Sequence, residues 1–200
     1  MHDTKKILVI RLSSLGDIIL SFPLLKILRK KFPGAEIHFL TRKNYSEVLR
    51  LNDNTDRIIE AKDDMEITRK EIQNEKYDMI LDIHKNLKSI YFTKNNAPDV
   101  RRIVKNNFKK FLLVKFKINL FKEIIPVYKK YLLTIADYLN EDDYEFSVSD
   151  LKTPSIEGFD FKYSVIAPSS RHFTKTYPAE KFIEFIKIKK QRDFYTYRQQ

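Results

Sequence analysis

Four short apolar runs, each followed after a polar turn by residues at helical spacing, constrain this chain more than any other feature. Ile7-Leu8-Val9-Ile10 is bounded by charge on both sides, the pattern of a strand buried on both faces of a parallel sheet. Beyond the polar turn Arg11 to Asp17, Leu20, Leu24, Ile27 and Leu28 recur on one helical side, with Lys26, Arg29, Lys30 and Lys31 opposite. Pro33-Gly34 closes that helix. Ile37 to Leu40 reads as a second strand, followed by a short helix over Ser46 to Leu51. Arg57 to Ala61 is the third strand, with a charged surface helix from Ile67 to Glu75, and Asp78 to Ile83 is the fourth, with a helix starting at Asn86 to Ser89. This alternation predicts an α/β fold built on a doubly wound parallel sheet. Right-handed crossovers then place the functional loops at the carboxyl ends of the strands.

The rhythm breaks twice. From Arg101 to Lys122, lysines and arginines mix with Phe, Leu, Ile and Val, and no acid follows Asp99 until Glu123. That segment reads as a surface-seeking insertion. Val127 to Leu139 is expected to be a helix with Tyr128, Tyr131, Leu132 and Ile135 on one side. A polar stretch from Asp142 to Gly158, rich in Asp, Ser, Thr and Pro, then reads as a linker. Beyond it the pattern restarts, with a strand at Tyr163 to Ala167, a loop from Pro168 to Lys175, and Pro178 in the first turn of a helix carrying Phe182, Ile183, Phe185 and Ile186. One domain over residues 1–152 and the start of a second over 153–200 are therefore expected.

Composition narrows the partners. With 38 basic against 27 acidic side chains the net charge is +11, which predicts an anionic partner. No helix-turn-helix, RNP or zinc spacing accompanies the charge, so nucleic acid is not the expected one. There is no Cys, which excludes disulfides, thiolate metal sites and a cysteine nucleophile, and suits a reducing cytoplasm. No apolar run approaches the about 20 residues of a bilayer span, and no cleavage pattern follows the start, so neither export nor a membrane span is expected. Acids and histidines show no metal-ligand spacing, so no metal or other cofactor is expected.

The chemistry concentrates after the first strand, in Arg11-Leu12-Ser13-Ser14-Leu15-Gly16-Asp17. Gly16 allows close backbone approach to a ligand, helix amides favour anions or sugar hydroxyls, and Asp17 projects into the same crevice. The spacing is neither a phosphate loop nor a dinucleotide fingerprint. From spacing alone Asp17 is equally an ordinary helix-start acid. Lys88 and His84 follow an inner strand and suit a phosphorylated or carboxylated ligand, although a lone histidine is more often structural.

The string Lys6 to Pro23, KILVIRLSSLGDIILSFP, resembles the opening of the bacterial ADP-heptose:lipopolysaccharide heptosyltransferases, glycosyltransferase family 9. Three later stretches resemble that family in the same order: Leu81 to Ser89, the helix around Val127 to Leu139, and Ala167-Pro168-Ser169-Ser170 with Lys175-Thr176-Tyr177-Pro178-Ala179-Glu180. The likeness runs to about Phe185. It implies a GT-B fold, two Rossmann-like domains facing a cleft, with acceptor bound mainly by the first and nucleotide sugar mainly by the second. It further implies inverting transfer of heptose from ADP-heptose, or a related nucleotide sugar, to the lipopolysaccharide inner core.

On this resemblance Asp17 is the general base, Ser13, Ser14, Gly16, His84 and Lys88 serve the acceptor, and Lys175 and Ser170 serve the donor. Lys85 stands where the family usually has glycine. The resemblance also implies that the second domain stops early, with an unrelated tail after Arg192, so that the chain by itself is expected to have little activity. A non-catalytic module for an anionic glycan or membrane surface stands as the alternative. Two readings remain for Arg101 to Lys122: Phe108, Phe111, Phe116 and Phe121 either pack inward beneath solvated lysines or rest with them on an anionic inner leaflet. The second would make the protein peripheral on the inner face of the inner membrane.

Overall fold

The chain divides into two compact units, Met1–Thr153 and Pro154–Gln200. The structure is a computed structural model and describes residues 4–121, 123–144 and 176–189. In the first unit, strands β1 (Lys6–Ile10), β2 (Glu36–Arg42), β3 (Arg57–Ala61), β4 (Met79–Asp82) and β5 (Asp99–Arg102) form one sheet in the order β3-β2-β1-β4-β5, parallel throughout. Between them lie α1 (Leu15–Ile19), α2 (Phe22–Lys31), α3 (Ser46–Leu49), α4 (Met65–Glu75) and α5 (Leu87–Thr93). After β5 come α6 (Asn107–Phe116) and α7 (Val127–Leu132). In the second unit the described residues hold α8 (Ala179–Lys189).

Alternation along the strands builds a core on each face of the sheet. Ile7 and Val9 of β1, with Ile37, Phe39, Met79 and Leu81, point toward α2 and α7 and pack on Leu24, Leu25, Leu28, Tyr131, Leu132 and Ile135. Leu8 and Ile10, with Leu40 and Ile80, point the other way onto Ile72, Tyr77 and Phe92. Burial on both sides explains why these strands read as unbroken apolar runs.

The chain builds β1, β2 and β3 outward in one direction, then crosses back to place β4 on the far side of β1. The crevice between the carboxyl ends of β1 and β4 is therefore the topological switch point, where open α/β sheets bind ligands.

Four local expectations are corrected. The single helix expected after Asp17 is two, because Pro23 at the second position of α2 has no amide to continue the ladder, and Ser21 turns back to donate its hydroxyl to the Ile18 carbonyl at 2.6 Å. Residues 99–102 form an edge strand that was not expected, and its Arg101 and Arg102 fall where the insertion was expected to begin. Its Arg101 is half-buried between Asp99 and Asp137, so charge replaces the apolar run that would have marked it. The helix expected over Val127 to Leu139 is α-helical only to Leu132 and continues as a tighter 3₁₀ segment to Tyr138, kinked at Ile135.

Asp143, expected in the linker, is instead buried: it receives the Asn140 amide at 2.9 Å and pairs with Lys30 and Lys31 of α2 at 2.7 and 2.6 Å. The strand expected at Tyr163 to Ala167 lies outside the described residues.

Candidate functional site

Ile10 and Asp82 are partners in the register of β1 and β4, so the two segments that leave these strands start side by side. From β1 the chain runs through Arg11, Leu12 and Ser13 to Ser14, which caps α1, and Asp17 falls at the third position of that helix. The Asp17 carboxylate turns back on this loop. Its Oδ2 accepts from the Ser14 hydroxyl at 3.0 Å, from the Ser14 amide at 3.4 Å, and from Nη2 of Arg11. Arg11 is itself fixed: Nη1 donates to the Ile83 carbonyl at 2.9 Å, and the guanidinium lies 5.8 Å from the centre of the Tyr131 ring.

Among the described residues all three hydrogen bonds to Asp17 end on one oxygen, Oδ2, and the side chain is 31% exposed against 12% for Arg11. Partial burial would raise the Asp17 carboxyl, but Arg11 and the two groups of Ser14 outweigh it and hold the group below the usual carboxylate range. Asp17 is thus ionised throughout the neutral range.

The opposite wall of the crevice is shaped by Asp82, a fully buried carboxylate. Its Oδ1 accepts the amides of His84 at 3.1 Å and Lys85 at 2.7 Å, while Oδ2 accepts the hydroxyl of Ser89 at 2.9 Å. Asn86 caps α5 through the Ser89 amide. These bonds curl the loop so that Lys85 adopts φ 46°, the left-handed region that favours glycine. His84 presents a buried Nδ1 with no hydrogen-bond partner. Burial first, and then the cations Arg11, Lys105 and Arg42, bring its pKa down to about 4 against the opposing pull of Asp17, so the ring is neutral at pH 7.

Two further buried polar atoms near Asp17 lack partners, Nε of Arg11 and the hydroxyl of Tyr131. Burial pushes the Tyr131 phenol up to about 12, with Arg11 opposing and Asp17 adding to the rise. Lys105, just past β5, donates to the Lys85 carbonyl at 2.9 Å, and its ammonium is lowered by burial and then by Arg11. Beside this cluster opens a cavity of about 310 Å³ lined by the cations Arg42, Lys43, Lys62 and Lys88, one acid, Asp63, and Leu12 and Phe92 among others. That is the low end of the range for small-molecule sites, about 300–1,000 Å³. An ionised carboxylate thus stands beside a cation-lined recess, an arrangement that suits deprotonating a hydroxyl on an anionic molecule.

The structure brings Ser14, Asp17 and His84 together and places Lys88 on the wall of the adjoining cavity. Ser13 is half-buried and Gly16 exposed on the same loop. A Cβ added at Gly16 would meet nothing within 4 Å, so no contact within the chain requires glycine there. The Ser14 amide donates to Asp17 itself at 3.4 Å. Ser170 and Lys175 lie outside the described residues. Arg42, Lys105 and Tyr131 are not among the site residues expected from the sequence, and Arg11 enters that expectation only within the string Arg11 to Asp17; an arginine directly after a buried strand was the signal available. Among the described residues no three His, Asp or Glu side chains gather as a metal ion would need.

No family model matches the sequence, and no curated protein matches it significantly. Solved structures do match in fold. A family 9 glycosyl transferase from Veillonella parvula superposes with a TM-score of 0.64 at 22% identity, over 90% of this chain and 58% of its own. The Escherichia coli heptosyltransferase WaaC with ADP gives 0.66 at 16% identity, over 92% and 64%. The same enzyme with ADP-2-deoxy-2-fluoro heptose gives 0.67 at 17%, over 92% and 65%. The chain thus has the GT-B-like fold of these proteins and spans 58% to 65% of their length.

Proposed function

We propose that this chain carries the acceptor-activating part of an inverting glycosyltransferase that moves heptose from ADP-heptose, or a related nucleotide sugar, to the inner core of lipopolysaccharide. One observation carries the reading. Asp17 sits at the switch point with one carboxylate oxygen anchored by Arg11 and Ser14 and, among the described residues, no hydrogen bond recorded to the other.

A sugar hydroxyl is a poor nucleophile until its proton is being removed, and a positioned base contributes typically about 10²–10⁴-fold. In this proposal Oδ1 of Asp17 accepts the acceptor proton while the hydroxyl oxygen bonds to the anomeric carbon and the diphosphate leaves from the opposite face. Arg11 keeps the base ionised and aimed. His84, Lys88 and the cations Arg42 and Lys105 receive the acceptor's phosphate or carboxylate groups, and Ser13, Ser14 and Gly16 border its sugar. By the resemblance, Lys175 and Ser170 serve the donor, Lys175 meeting the negative charge that develops on the leaving diphosphate. A lipid-linked acceptor would put the protein at the cytoplasmic face of the inner membrane. The likeness in fold to WaaC with ADP supports a nucleotide-sugar donor.

The cationic recess equally favours a second reading, a module that binds an anionic glycan without transferring anything. Isothermal titration separates the two. Binding of ADP-heptose in the millimolar range or tighter, abolished in Lys175→Ala, supports the transferase; acceptor binding with no nucleotide binding supports the module.

A further inference from the structure

We propose that α6 and the turn after it form a docking surface for an anionic lipid bilayer. The helix has ten residues, none of them buried. Phe108 is 69% exposed, Phe111 50%, Val114 72% and Phe116 54%, and Ile118, Leu120 and Ile124 continue the exposed apolar series. An isolated helix of this length is marginal in water, and so much contiguous apolar surface marks an interaction site. Lys109, Lys110, Lys115 and Lys117 are interleaved with these side chains, and no acid occurs between Asp99 and Glu123 to repel an anionic surface. Lys115 lies 5.4 and 5.6 Å from the ring centres of Phe111 and Phe116, so its charge and the apolar groups share one patch.

The charge selects the occupant. In a symmetric pair of copies this face would meet itself, lysine against lysine, which disfavours a dimer. A protein groove would have to supply an apolar floor and an acidic rim together. An anionic bilayer supplies both at once: phenylalanines enter the acyl boundary and lysine ammoniums stay at the headgroups on stems that lie along apolar surface. The inference rests on α6 and not on the chemistry at Asp17, so either can fail alone.

The test is vesicle co-sedimentation of the full chain. Binding is expected to vesicles containing phosphatidylglycerol, with weak binding to pure phosphatidylcholine and loss at high salt. Each lysine near such a surface contributes about fivefold, so Lys109→Gln/Lys110→Gln should weaken partitioning roughly 25-fold. Phe108→Ser/Phe111→Ser, which leaves the charge unchanged, should weaken it at least tenfold by loss of buried apolar area. The control Lys70→Gln/Lys94→Gln, at exposed sites elsewhere on the unit, should stay within about twofold of the parent.

Because the sequence has no Trp, Phe111→Trp gives a single reporter, expected to shift to the blue on anionic vesicles and to be quenched by brominated acyl chains. The proposal is overturned by no binding to anionic vesicles, by an equal loss in the control, or by full binding of the phenylalanine variant. It is also overturned by a dimer in sedimentation that the phenylalanine variant dissolves.

Discussion

Asp143→Ala should destabilise the first unit by about 2–3 kcal/mol, although composition alone assigns the residue to a linker. Its carboxylate accepts the Asn140 amide at 2.9 Å and the ammoniums of Lys30 and Lys31, and its side chain is fully covered. Removing it orphans one amide, worth about 1–3 kcal/mol. It also strands Lys31, whose side chain is only 17% exposed, while Lys30 at 61% simply turns to water and adds almost nothing. The sum stays below the about 3–5 kcal/mol of a broken interior pair because one partner is solvated.

The carboxyl is held below its usual range, first by the Asn140 amide and then by the two lysines. Its contribution is therefore complete above the unfolded pKa, about 4, and fades as pH falls through the folded value, so parent and variant should converge in acid. Urea unfolding followed by circular dichroism at pH 7 and pH 3 measures both effects, with exposed Asp142→Ala as a control expected within about 0.5 kcal/mol. An Asp143→Ala variant as stable as that control would refute the reasoning and return the segment to a linker.

Three further outcomes follow from the site. Lys85→Gly should stabilise the chain by up to about 1 kcal/mol in the same unfolding assay, because it relieves a left-handed backbone position. His84, with its folded pKa brought down to about 4, takes up protons more readily when unfolded, so stability should fall as pH drops from about 6.5 toward 4. For a half-buried ring this amounts to about 1–2 kcal/mol, and His84→Gln should flatten the slope in pH-dependent melts. Gly16→Ala should leave the fold intact or add up to about 1 kcal/mol to it, yet weaken acceptor binding in titration calorimetry if a ligand approaches that backbone.

Much of this architecture was legible in the residues, for a physical reason. β1 and β4 are inner strands covered on both faces, and β2 likewise buries an unbroken run, so they had to be continuous apolar stretches, and the loops after β1 and β4 could be assigned to one edge of the sheet. That was enough to bring Asp17 and His84 to one place.

What depends on paired charge was not legible. β5 hides its identity in Arg101 and Arg102, which are neutralised by Asp99, Asp137 and Asp82 only once the fold exists. Lys105 reaches the site only because β5 precedes it. Tyr131 was expected on the apolar side of its helix, and it is there, but the influence of the Asp17 carboxylate on its hydroxyl is something no periodicity encodes. The two readings of Arg101 to Lys122 divided on whether the phenylalanines pack inward; Phe108, Phe111 and Phe116 are exposed and Phe121 is half-buried.

The most direct measurement is the single-turnover rate of heptosyl transfer from ADP-heptose to an inner-core acceptor, parent against Asp17→Asn, with donor and acceptor affinities measured alongside. A base at residue 17 predicts a rate lower by about 10²–10⁴-fold at nearly unchanged affinities. An Asn variant that transfers heptose as fast as the parent would remove Asp17 from the reaction.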